Sequence, residues 1–267
     1  MPELAAADPG GEPDKDSMPT MGFLEHLEEL RKRIVYSVIS VAVGTALCWG
    51  YRERIYAFMQ KPIMDALRSH GMAEKLVYLN PIDPFNLYLK ISMLGGLFLT
   101  SPFVLYQVWL FISPGLYRKE KRYAMPFMFS TITLFTLGGY FGYRIAYPRA
   151  LDFFVGFNGQ FTPMITVGEY TQLFLSIVAG MGLIFEMPIL VFFLAFLGIL
   201  SPGFMLKQFR YAVLIIFVIA GVVTPTPDIV NMCISAAPML LLYGISVGVA
   251  WLVHPEQRQK REEKKAA

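Results

Sequence analysis

Residues 85–112 read FNLYLKISMLGGLFLTSPFVLYQVWLFI, broken by Ser113-Pro114-Gly115, and this stretch decides the fold class. Apart from Lys90 it carries no charge, and as a helix it extends about 40 Å, more than the roughly 30 Å hydrocarbon core of a bilayer. Five further apolar runs flank it: Ile34–Tyr51, Ala124–Tyr147, Tyr170–Leu200, Tyr211–Val223 and Ile229–Val253. The expected architecture is all-α, with six transmembrane helices. Across the 267 residues, 55% are hydrophobic and 16% charged, well below the roughly 25% charged of soluble domains.

Between the runs the sequence punctuates itself. Phe23, Leu27, Leu30 and Ile34 share a helical face, so the charged stretch before the first run should continue that helix onto the membrane surface. Arg52–Pro84 reads as a long polar loop, and Ile55, Phe58, Met59, Ile63 and Leu67 within it have the spacing of a helix lying along the interface. Pro148–Gly168 reads as a second exposed segment. Gly138/Gly142 and Gly244/Gly248 have the small-xxx-small spacing that lets helices approach closely.

Six spans place both termini on one side. Basic residues divide about 15 to about six between the two faces, with the larger share on the side of the termini, so both termini are expected to be cytoplasmic. The domain reading is a disordered acidic N-terminal extension over residues 1–20, a six-span membrane domain over 21–253, and a charged cytoplasmic tail over 254–267. The N-terminal stretch has no apolar core and does not read as a signal peptide.

Enzyme signatures are missing. The sequence has no GxxxxGK[ST] loop and no HExxH, and its histidines (His26, His70, His254) fall in separate places, so no metal site or cofactor is expected. Cys48 and Cys233 sit singly in apolar runs and read as small packing residues. Ser92, Ser130 and Ser176 read as hydroxyls bonded to helix carbonyls. The small net charge of +3, with basic residues gathered at run ends, gives no surface for nucleic acid.

The informative residues are acidic groups at the cytoplasmic face. Glu28, Glu29 and Arg31 precede the first run, and Glu120 and Arg122 lie between the second and third. Carboxylates on two elements at one face are able to receive guanidinium groups in bidentate fashion, although charges beside spans also serve simply to fix topology. Glu186 stands near the middle of the fourth run, where a lipid-exposed carboxylate costs at least a few kcal/mol, so it should be neutral, paired or beside a wet cavity. Pro188 should kink the helix there.

Four motifs give the chain a family resemblance. HLEELRKR at His26–Arg33, SPFVLYQVWLFISPGLY at Ser101–Tyr117 followed by Glu120-Lys121-Arg122, FEMP at Phe185–Pro188 and TPTPD at Thr224–Asp228 resemble the signatures of the TatC family, in the same order. The resemblance covers about Gly22 to Val253. It implies six helices in a concave, glove-like arrangement in the cytoplasmic (inner) membrane of a prokaryote. It implies the core receptor of the twin-arginine translocase, not an enzyme, which binds twin-arginine signal peptides of folded cargo and works on the proton-motive force. Glu29 and Glu120 would receive the arginine pair, with Arg31 and Arg122 shaping the site. The single-span subunits TatA and TatB would pack on the fifth and sixth spans, within a larger complex that includes further copies of the chain. Two other classes compete. A solute transporter using Glu186 as proton carrier lacks internal repeats and paired intramembrane charges, and a membrane hydrolase lacks a nucleophile–base pair.

Overall fold

A computed structural model describes residues 23–73, 75–112, 124–156, 164–196, 198–223 and 229–253. Among these the chain is helical, with one isolated parallel bridge, Val77 to Thr166, and no strand. The elements are α1 (Phe23–Gly50), α2 (Arg52–Met59), α3 (Lys61–Ser69), α4 (Asp83–Ile112), α5 (Ala124–Phe141), a π-helical stretch (Gly142–Ala146), α6 (Tyr147–Gly156), α7 (Val167–Ile184), α8 (Met187–Phe196), α9 (Pro202–Lys207), α10 (Phe209–Val223) and α11 (Ile229–Val253). Four stretches among the described residues are long and apolar enough to cross a membrane: Leu24–Gly50, Asp83–Ile112, Val167–Ala195 and Met232–Trp251. α10 is a shorter apolar helix, and α5 runs on through the π stretch into α6.

α1 and α4 pack antiparallel along their full length. His26 stacks on Phe111 at one end, with ring centroids 4.4 Å apart, and Trp49 meets Phe85 edge-on at the other. Between them the backbones touch. A Cβ placed on Gly96 would lie 2.5 Å from the Thr45 nitrogen and 2.8 Å from the Gly44 carbonyl carbon. Glycine is required here for close approach, as lipid tails offer no hydrophobic drive and contact area must hold the pair. The outward residues of α1, among them Val38, Ile39, Val43 and Leu47, are apolar and exposed, as expected of a helix with lipid as its solvent.

Of the two small-residue pairs read from sequence, one is used inside the chain. Gly138 and Gly142 press against the α7 backbone, where a Cβ would come within 2.5 Å of the Met181 carbonyl oxygen and 3.1 Å of that of Ile177. Gly244 and Gly248 face open space.

The stretch after α1 corrects the loop reading. Residues 52–69 hold two helices, α2 and α3, and the apolar face read from their spacing is covered by protein: Met59, Ile63 and Leu67 are buried against Tyr147, Ala150 and Leu151 of α6 and Tyr170 of α7. The Tyr170 hydroxyl donates to the Met59 carbonyl and the Tyr143 hydroxyl to that of Phe58 at 2.9 Å. The described parts of the Pro148–Gly168 segment also contribute to this packing, with α6 running to Gly156 and Val167 donating to the Val77 carbonyl at 2.8 Å. Helix spacing in the first segment was legible, but its partner on α6 lies far along the chain. This packed cap lies at the end of the α1/α4 pair opposite His26 and Phe111, since α2 follows the C-terminus of α1.

The fourth run is broken where Pro188 predicts. α7 ends at Ile184, a turn carries Phe185 and Glu186, and α8 begins at Met187. Proline has no N–H for the preceding turn, and its ring crowds the carbonyl four residues back. Ser92 departs from expectation: its buried hydroxyl has no partner among the described residues, whereas Thr45, Thr100, Thr171 and Ser246 do bond back to helix carbonyls.

Candidate functional site

Of the acidic groups read from sequence, those before the first run stand on α1, whose start meets the end of α4. His26, Glu29 and Arg33 lie three to four residues apart, so one face of α1 carries all three toward α4. His26 stacks on Phe111, and further along α1 Arg33 reaches Gln107. Arg33 Nη2 donates to Glu29 Oε1 at 3.1 Å, and Arg33 Nη1 donates to Gln107 Oε1 at 3.3 Å. The Glu29 side chain is 14% exposed and that of Arg33 23%. Gln107 is buried. Glu29 Oε2 and Arg33 Nε are buried with no hydrogen-bond partner among the described residues. The ion pair is therefore incompletely satisfied in a partly dry place, where each unmet polar atom is costly.

The residues singled out from sequence separate here. Glu29 is the half-buried carboxylate, Glu28 is exposed, and Arg31 is exposed on α1 away from the Glu29–Arg33 pair. Glu120 and Arg122 lie outside the described residues. Arg33 and Gln107 were not singled out. The four-residue spacing of Glu29 and Arg33 was a signal for the first, but nothing in one sequence places Gln107 beside them.

Glu186 sits in the break between α7 and α8, with its Oε1 buried and without a partner among the described residues. A cavity of about 180 Å³ beside the break is lined by Met187 and Val191 from α8, Ile216 from α10, and Met239, Tyr243 and Ser246 from α11. Glu186 does not line it. Among the described residues no cluster of His, Cys, Asp or Glu has the arrangement of a metal site.

The fold and this junction define a multi-pass helical membrane protein that presents a partly buried, incompletely paired carboxylate at one end of its helix bundle. The family model for the Sec-independent protein translocase protein (TatC) matches residues 25–238, and the chain belongs to that family. It is thus a component of the Tat protein translocase, a family of transport proteins and not of enzymes. The TatC of Koribacter versatilis is 58% identical over 253 residues, covering 95% of this chain and 93% of the relative. That of Aquifex aeolicus is 35% identical over 92% of this chain and all of its own length. A crystal structure of the twin arginine translocase receptor TatC superposes with a TM-score of 0.73 at 35% identity, covering 86% of this chain and 99% of that one.

Proposed function

We propose that the chain is the signal-peptide receptor of the translocase, and that Glu29 receives an arginine of a twin-arginine signal peptide at the junction of α1 and α4. The carrying observation is the half-buried Glu29 carboxylate with one oxygen unpartnered among the described residues. A guanidinium is the side chain that offers two parallel donors to a carboxylate, and an anionic acceptor partly shielded from water binds it more strongly than an exposed one. Glu120 receives the second arginine, with Arg31 and Arg122 shaping the approach.

The same reading takes the membrane domain as residues 21–253, with six spans, α5–α6 and α10 adding to the four long ones. Both termini are cytoplasmic, flanked by the extension 1–20 and the tail 254–267, and the membrane is the inner membrane of a bacterium. Transport draws on the proton-motive force. Single-span TatA and TatB subunits pack on α10 and α11, and further copies of the chain join the complex. Features of both helices support this surface: α10 has 15 residues, about 22 Å of helix, which thins the bilayer or invites neighbours, and Leu214, Ile215 and Val218 on it are exposed. Gly244 and Gly248 leave an open small-residue face on α11.

The test is binding of a synthetic twin-arginine peptide to the purified protein. Glu29→Ala and Glu120→Ala should each weaken binding by roughly tenfold to a hundredfold, the equivalent of a lost charge-assisted pair of about 1.5–3 kcal/mol. Glu28→Ala, about 100° around the helix, should do less. Undiminished binding by both key variants would refute the receptor reading.

A further inference from the structure

The Arg33 guanidinium is divided between two helices. A guanidinium beside a carboxylate ordinarily sets two N–H groups against the two oxygens in a parallel fork. Here Arg33 gives only Nη2 to Glu29 Oε1, at 3.1 Å, while Nη1 is drawn to Gln107 Oε1 on α4, at 3.3 Å. The atoms left over are those a full fork would use: Glu29 Oε2 and Arg33 Nε, both buried and unpartnered among the described residues.

From this division we infer that Arg33 competes with the incoming arginine for the Glu29 carboxylate, and that Gln107 decides the contest by holding one Arg33 amino group away. The inference rests on the reading of Glu29 as the arginine acceptor. Gln107, 4% exposed, is fixed by its packing and acts through Arg33, so it is a positioning residue. The Glu29–Arg33 pair carries no net charge, because Arg33 cancels the charge of Glu29. A guest gains the carboxylate only as Arg33 yields Oε1, and Gln107 gives Arg33 a place to yield to. A neutral amide suits this role, since a carboxylate at 107 would hold Arg33 permanently and an apolar side chain would release it onto Glu29. The arrangement favours arginine over lysine in the guest. A guanidinium fills both carboxylate oxygens at once, whereas an ammonium is a single-point donor that leaves the buried Oε2 unmet.

The experiment measures the affinity of the purified full chain for a fluorescent twin-arginine peptide and for its twin-lysine counterpart. Gln107→Leu keeps the volume and removes the amide, so Arg33 closes its fork on Glu29; affinity for the arginine peptide should fall about tenfold, as for one charge-assisted hydrogen bond. Arg33→Gln removes the competitor and should bind as well as the unsubstituted protein or better. The double variant should regain what Gln107→Leu lost, an outcome that simple damage to the α1–α4 contact cannot produce. Loss of binding in Arg33→Gln alone, or a double variant as weak as Gln107→Leu, overturns the inference; the Arg33→Gln result decides it even if Gln107→Leu does not fold. Glu29→Ala is run beside them. If that variant binds normally, the receptor reading itself fails, whereas its failure to bind together with loss of binding in Arg33→Gln rejects only the competition.

Discussion

Gly96→Ala tests the claim that backbone contact between α1 and α4 sets the geometry of the site. The added methyl would stand 2.5 Å from the Thr45 nitrogen and 2.8 Å from the Gly44 carbonyl carbon, both backbone atoms that no rotamer change removes. Ordinary contact is about 3.5 Å, so the helices must part by about 1 Å. Overpacking of this kind costs typically about 1–3 kcal/mol, and the upper half of that range applies because the obstruction is backbone. α1 packs on α4 and, at its end, on α2, so little else restrains it. Cys48 reports the movement: its Sγ lies on Gly95, where a Cβ would come within 3.2 Å. In a Cys233→Ala background, Gly96→Ala should lower the thermal midpoint in detergent and speed reaction of Cys48 with a thiol dye. Gly50→Ala, with nothing within 4 Å of its Cβ, is the control and should do neither. An unchanged midpoint together with unchanged Cys48 reactivity would show that the helices are not in close contact.

Three further outcomes are expected. In a chain lacking Cys48 and Cys233, a cysteine at Ser69 should react with an impermeant reagent outside intact cells, while one at Gly10, Lys119 or Gln257 should be shielded; labelling at Lys119 from outside would reverse the orientation. Tyr170→Phe leaves the Met59 carbonyl without its donor in a buried cap, costing about 1–3 kcal/mol, and should expose residues 52–69 to added protease in proteoliposomes at a lower temperature; equal protection would remove this bond from the account of the cap. Glu186→Gln should retain substantial export of a folded twin-arginine cargo at matched membrane levels, Glu186→Ala less and Glu186→Lys least; Gln failing as badly as Lys would mean that an ionised or proton-exchanging carboxyl is required at the α7–α8 break.

Periodicity and composition alone determined a great deal about this protein. Long apolar runs require helices, because a backbone in hydrocarbon must satisfy its own hydrogen bonds, and that requirement is written residue by residue. The break at Phe185 and Glu186 was equally legible, since Pro188 acts on its own helix. So was the continuation of the first helix through the charged stretch before its apolar run, which puts Glu29 and its neighbours on one helix. Contacts between distant segments were decided only in three dimensions. The stretch 52–69 showed helix spacing, but its burial under α6 and α7 depends on which apolar face the chain later brings to it. The Gly44–Gly96 contact is not written within either helix, because a glycine permits close approach without naming the helix that will make it. The Glu29 site divides along the same line: its carboxylate and the arginine four residues on are local, whereas Gln107 stands 74 positions from Arg33 and meets it only because α1 and α4 run antiparallel in register.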